Sequence, residues 1–181
     1  TSGSFITADG NYTYTEAFDM YQEQVRILAD AGIDLIAAET MINIEETLAA
    51  VDAASSVCDL PIMCTMTVEA DGSIFSGGNA IEASVSLEAA GADAVGINCS
   101  VGPDQLVSVV RSIKENVSIP VIAKPNAGMP TIDDKGQAVY SMNAEDFASY
   151  MKVLIESGAS VVGGCCGTTP AFIKALHDSI R

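Results

Sequence analysis

Five cysteines, Cys58, Cys64, Cys99, Cys165 and Cys166, are the residues of this sequence best equipped for chemistry. Three of them follow short apolar runs that read as buried strands. Cys99 comes after Ala94-Val95-Gly96-Ile97-Asn98, and Cys165-Cys166 after Val161-Val162-Gly163-Gly164. The adjacent pair leads into Gly167-Thr168-Thr169-Pro170, where Thr168 or Thr169 can cap a helix and Pro170 suits its first turn. Thiols so placed can be core residues, a redox pair or metal ligands. Glycine-flanked strand ends on a polar rim are poor core positions. An adjacent Cys-Cys pair lacks the C-x-x-C spacing of redox motifs, and its disulfide would be strained. Three thiolates around zinc, with the fourth position open, fit these residues best, because zinc takes tetrahedral sulfur and catalytic sites keep one place for water or substrate. Gly163, Gly164 and Gly167 supply the backbone freedom that two adjacent ligands on one ion demand.

Such a donor set selects its own chemistry. Three thiolates cancel the charge of the ion and leave it a weak acid towards water. A thiol entering the open position would lose its proton on coordination and remain electron-rich. That suits activation of a sulfur nucleophile and contrasts with hydrolysis through metal-bound hydroxide. Cys58, closing a predicted helix, and Cys64, inside a predicted strand, read instead as small buried or half-buried hydrophobes. The one histidine, His177, stands beside Asp178 late in the last helix and reads as part of a solvated face.

The elements that must position these thiols follow from hydrophobic periodicity and turn residues. Thr1 to Thr13 reads as a loop with a turn at Asp9-Gly10-Asn11. Helices are predicted over Glu16–Ala31 (capped by Thr15), Ile44–Cys58, Asn79–Ala90, Asp104–Glu115, Ala144–Ser157 and Pro170–Ser179. Between them lie five apolar strands: Ile33–Ala38 with Glu39-Thr40 at its end, Pro61–Met66, the run into Asn98, Ile119–Lys124, and the run into Gly163. A beat of Ala-Gly-Ile-Asp, Ala-Gly-Ala-Asp and Ser-Gly-Ala-Ser at residues 31, 90 and 157 opens three of these passages. Alternating βα units predict an α/β fold with a parallel sheet. No G-x-G-x-x-G follows the first strand, which favours a (β/α)8 TIM-barrel type over a doubly wound sheet. A barrel needs eight strands, so residues 1–181 are read as a single domain made of the last five βα units (strands 4–8), with about three units missing at the front. Barrel chemistry sits at the C-terminal strand ends, here Glu39 and Thr40, Thr65 and Met66, Asn98 and Cys99, Lys124 to Asn126, and Cys165 with Cys166. For Lys124 a structural ion pair is the expectation.

Whole-chain properties narrow the field further. With 181 residues, 49% of them hydrophobic, the chain can bury a sizeable core. A formal charge of -16, from 24 acidic against 8 basic residues, argues against nucleic acid and anionic membrane surfaces. No apolar run is long enough to span a bilayer and no signal peptide is recognised. Five cysteines, an odd number in a domain large enough to fold without disulfides, lead to the expectation of a reduced, cytoplasmic setting.

The motifs carry a resemblance. Gly96-Ile97-Asn98-Cys99 and Gly163-Gly164-Cys165-Cys166-Gly167-Thr168-Thr169-Pro170 resemble the two zinc motifs of the homocysteine S-methyltransferase family, and Asp34-Leu35-Ile36 leading to Glu39-Thr40 resembles its acidic strand end. Cys99-Ser100-Val101-Gly102-Pro103-Asp104 and Pro125-Asn126-Ala127-Gly128-Met129-Pro130 look closer to its cobalamin-dependent branch than to its betaine-dependent one. The resemblance implies zinc on Cys99, Cys165 and Cys166, with homocysteine as thiol acceptor. It implies Glu39 on the substrate ammonium, with Thr40 and Asn126 completing the substrate site; in some members the residue matching Asn126 offers its amide oxygen to zinc. It further implies methylation to methionine from a methyl-corrinoid on another domain or subunit. The family's Asp-Gly-Ala-Met-Gly-Thr-like first strand has no match here. A rival reading is therefore a catalytically silent barrel fragment that binds metal or assembles with a partner chain, for instance as a homo-oligomer that completes the barrel.

Overall fold

Gly32, Gly91 and Gly158 adopt φ values of 80°, 103° and 117°, the left-handed conformation that ends a helix cheaply only at glycine. They explain the repeated beat of the sequence, since each starts a passage from helix to strand. The computed structural model describes residues 1–3, 6 and 12–181. The turn expected at Asp9-Gly10-Asn11 lies outside the described residues.

In chain order, α1 (Tyr14–Asp30), β1 (Ile36–Met41), α2 (Ile44–Ser55), β2 (Ile62–Met66), α3 (Ala80–Ala89), β3 (Ala94–Asn98), α4 (Val107–Asn116) and β4 (Val121–Lys124) alternate. A hairpin of β5 (Pro130–Ile132) and β6 (Ala138–Tyr140) follows, and then α5 (Ala144–Glu156), β7 (Ala159–Val162) and α6 (Pro170–Ser179). The main sheet has five parallel strands in the order β1-β2-β3-β4-β7. A doubly wound sheet reverses its strand order at a switch point. This one never does, and consecutive helices pack on one another along its outside. The winding is that of a TIM-type (β/α) barrel, with five βα units among the described residues.

Strand alternation divides the side chains between two faces. Cys64, Met66, Val95, Ile97, Val121 and Ala123 join Val51, Leu87, Ile113, Met151 and Leu154 in the core between sheet and helices. Phe147 of α5 meets Phe172 of α6 edge-on, with ring centroids 5.5 Å apart, and fixes the last helix to the one before it. The opposite face is concave. Glu39 of β1 forms an ion pair with Lys124 of β4 although two strands lie between them, so the sheet curls strongly enough for non-neighbours to touch. No helix among the described residues is long and apolar enough to cross a membrane.

Several boundaries differ from expectation for local reasons. The first helix starts at Tyr14 under Thr13, not Thr15, because Thr13 and Glu16 form a reciprocal capping box. Residues Pro103–Gln105 make a separate 3-10 turn before α4. Cys58 lies beyond the end of α2 rather than closing it, with its thiol directed to the Ala54 carbonyl at 3.8 Å. The first strand begins three residues late and includes Glu39 and Thr40, because it bulges between Ala38 and Met41. The β5–β6 hairpin was not anticipated; its signal is the Asp133-Asp134-Lys135-Gly136 turn, where the Asp133 carboxylate accepts from the amides of Lys135 and Gln137.

Candidate metal centre

The sulfurs of Cys99, Cys165 and Cys166 all lie within 4.8 Å of one another, and those of Cys99 and Cys166 are 3.4 Å apart. Zinc–sulfur bonds of about 2.3 Å at tetrahedral angles need sulfurs about 3.8 Å apart. The cluster brackets that spacing, so the donor set fits the ion with only small side-chain adjustment. No fourth His, Cys, Asp or Glu joins the group among the described residues. The donors gathered here are three thiols. Cys64 is fully buried on the helix-facing side of β2 and takes no part. His177 is exposed beside Asp178, as expected.

Backbone geometry delivers each thiol. Cys99 leaves β3 with φ 59°, in the left-handed region, and its amide donates to the Lys124 carbonyl at 3.1 Å. A non-glycine residue held there marks a place where the surroundings overrule local preference. Thr40 has the same φ of 59° at the β1 bulge. One residue steadies that bulge. Buried Asn98 accepts from the Thr40 amide at 2.9 Å, donates to the Thr40 hydroxyl at 2.8 Å, and points its Nδ2 at the Cys165 sulfur at 3.8 Å.

The Cys165-Cys166 turn is stitched to the loop after β4. Cys165 N–H donates to the Pro125 carbonyl, and the Cys166 carbonyl accepts from Ala127 N–H, both at 2.9 Å. Asn126 closes this frame. Its Nδ2 donates to the carbonyls of Cys99 and Ser100, each at 2.9 Å, and its Oδ1 accepts from Cys166 N–H at 3.0 Å. That carboxamide is buried and ties the two cysteine-bearing segments together. Of the three flanking glycines, only Gly167 needs a positive φ, at 81°, and a Cβ there would stand 2.3 Å from the Tyr140 ring. Gly164 is required for a different reason: a Cβ would lie 2.5 Å from the Thr168 methyl.

The thiols differ electrostatically. Burial, then the neighbouring thiols of Cys165 and Cys166, push Cys99 up to about 12. Hydrogen bonds from Cys99, and further from Tyr140 and Cys165, hold Cys166 below the usual thiol range despite partial burial. Cys64 is driven to about 12 by burial alone. Thiolate is the reactive form, so in metal-free protein at neutral pH iodoacetamide is expected to label Cys166 first, ahead of Cys99 and Cys64 by at least about tenfold. Raising the pH brings Cys99 in before Cys64, which stays sterically shielded. Peptide mass spectrometry over time checks this, and early labelling of Cys99 would refute the hydrogen-bond assignment.

Every residue of the expected set except Glu39 touches this frame directly; Glu39 sits beside it, paired with Lys124. The ion pair expected for Lys124 is present. Tyr140, whose side chain hydrogen-bonds Cys166, is the residue that sequence reasoning missed, whereas Asn98 stood on the expected rim without a role. The signal for Asn98 was a polar, strand-forming position immediately before the ligand.

The comparisons agree with this architecture. Residues 2–180 match the family model described as homocysteine S-methyltransferase. The methionine synthase of Mycobacterium tuberculosis is 33% identical over 184 residues, a region that is 98% of this chain and 15% of that protein. Homocysteine S-methyltransferase 3 of Zea mays is 34% identical over 186 residues, 99% of this chain and 54% of that protein. The crystal structure of the homocysteine methyltransferase MmuM from Escherichia coli, in its apo form, superposes with a TM-score of 0.76 at 23% identity, covering 94% of this chain and 59% of that one. The chain thus spans about half the length of the plant relative and a small part of the methionine synthase. With a match that runs almost end to end and three thiols gathered on the strand ends of a barrel-type sheet, the chain belongs to the homocysteine S-methyltransferase family.

Proposed function

We propose that this chain is a zinc-dependent homocysteine-binding module that prepares the homocysteine thiol for S-methylation to methionine. The observation that carries the reading is the three-sulfur cluster in a chain of this family. When bound, zinc supplies the Lewis acidity that leaves an incoming thiol deprotonated at neutral pH. The protein's own part is positional. Cys99, Cys165 and Cys166 present three sulfurs towards one point, and Asn98 and Asn126 hold the segments that carry them. Glu39, a half-buried carboxylate on the concave face, is suited to the substrate ammonium, with Thr40 beside it. A substrate so held directs its sulfur lone pair out of the strand-end rim towards a methyl donor. Kinship with methionine synthase supports a methyl-corrinoid on another domain or subunit as that donor.

The test is X-ray absorption at the zinc edge on freshly loaded protein. One zinc with three sulfurs, rising to four when homocysteine is added, is the expected result. A sulfur count indifferent to homocysteine would overturn the reading. It would favour the second one, a silent barrel fragment that holds metal or pairs with another chain. One observation speaks for that alternative: β1 and β7 are unpaired edges of the main sheet among the described residues.

A further inference from the structure

Lys124 occupies the carboxylate that the proposed substrate would need. Its ammonium is bound to Glu39 across the concave face of the sheet. The two charged groups line a cavity of about 170 Å³, together with Ala38, Met63, Thr65 and Ile122. Thr65 is 4% exposed, and its hydroxyl is the one buried side-chain polar atom without a hydrogen-bond partner among the described residues. Native interiors rarely leave such an atom unsatisfied, and one facing a cavity that also holds opposite charges marks a place for a polar ligand. Lys124, in the cavity wall, connects to the thiol-bearing segments. Lys124 pairs in register with Asn98, its carbonyl accepts the Cys99 amide, and the Asn98 side chain reaches Cys165.

We propose that Lys124 determines specificity for a zwitterionic amino-acid thiol by exchanging partners when the substrate binds. The inference rests on the homocysteine reading above. Glu39 releases Lys124 and takes the α-ammonium, Lys124 takes the α-carboxylate, and the Thr65 hydroxyl gains a partner at the same polar end. Charge balance argues for both halves of the exchange. A site with Glu39 alone would bring a substrate carboxylate up against a carboxylate and leave it unpaired in a partly desolvated cavity. With Lys124, one ion pair becomes two and no charge is left alone in either state. The lysine also keeps Glu39 satisfied when no substrate is present. Its aliphatic stem lies against Gly163, where a side chain would crowd it. The energy of exchange favours ligands with both charges, so simple thiols are discriminated against.

Calorimetric titration of the zinc-loaded protein with three thiols tests this. They are homocysteine, mercaptobutyrate (which lacks the ammonium) and mercaptopropylamine (which lacks the carboxylate). Lys124→Met is expected to weaken homocysteine and mercaptobutyrate by about tenfold to a hundredfold, the usual effect of losing one charged hydrogen bond. Mercaptopropylamine should bind the variant at least as well, because Glu39 is freed. Lys124→Arg should recover much of the loss. Zinc content and the unfolding midpoint of each variant establish that the cluster and fold are intact. Equal weakening of all three thiols by Lys124→Met, or weakening of none, would overturn the exchange while leaving the homocysteine reading standing. If the zinc-loaded parent protein binds none of the three, the homocysteine reading falls and the exchange falls with it.

Discussion

Cys165→Ala is expected to lower zinc affinity by more than about a hundredfold while the fold survives, since loss of even an outer-shell partner costs about tenfold to a hundredfold. Cys165 supplies one of three sulfurs, and no other His, Cys, Asp or Glu among the described residues is near enough to replace it. Its side chain is half-buried on the rim and does not belong to the helix-facing core. Apart from the 3.8 Å approach of Asn98 Nδ2 to its sulfur, the contacts of Cys165 in the turn use its backbone: N–H to Pro125, and carbonyl to the Thr168 amide and hydroxyl. Alanine retains all of these backbone contacts. Competition against a chromophoric chelator at fixed pH reads the affinity, and circular dichroism reads the fold. Cys64→Ala is the matched control. It removes a buried thiol from the opposite face of the sheet, so it should cost stability and leave zinc binding unchanged. The affinity of the parent protein should also climb with pH. Protons must leave the thiols before sulfur can ligate, and Cys99, raised to about 12, holds its proton most firmly. Undiminished binding by Cys165→Ala would sink the three-thiolate centre.

What could be read from the sequence was local. Strand-end cysteines stand out because alternating βα units repeat every few tens of residues, each with an apolar run and three of the five with a helix-ending glycine before it. Thr13 was legible too, since Thr-x-x-Glu is a capping signature, although Thr15 is of an equally good cap type. The long-range contacts were not legible. Asn98 and Thr40 lie 58 residues apart, and Asn126 and Cys166 lie 40 apart. In each case the partner is fixed by the packing of parallel strands, which no local pattern records. The left-handed backbone of Thr40 and Cys99 is equally invisible, because neither residue type prefers it. Glu39 and Lys124 were each singled out, one for a substrate and one for an unnamed ion pair. Only the curl of the sheet makes them partners.

Gly96→Ala should be the most damaging glycine-to-alanine change among the described residues, costing more than about 3 kcal/mol, in the range reserved for overpacking that the surroundings cannot relieve. Gly96 lies at the middle of β3, opposite Ile122 of β4. A Cβ built on it stands 2.0 Å from the Ile122 carbonyl oxygen and 2.7 Å from that residue's carbonyl carbon and nitrogen. A clash with a side chain can be relieved by a rotamer change. This one is with backbone, so relief requires β3 and β4 to move apart. Every residue of β3 is buried, and separation would break ladder bonds in a dry environment where water cannot replace them. Gly136→Ala provides the contrast. Gly136 has φ 75° but nothing within 4 Å, so alanine there should cost only left-handed strain of about 1–2 kcal/mol. Denaturant unfolding of the two variants separates steric from conformational cost. The same displacement reaches the metal centre, because Cys99 is three residues further on and takes its position from the Lys124 carbonyl across that strand pair. Gly96→Ala should therefore lose zinc at denaturant concentrations where it is still folded. An unchanged midpoint with full zinc binding would mean that β3 and β4 do not approach as closely as described, and the close approach that carries Cys99 to its partners would have to be abandoned with it.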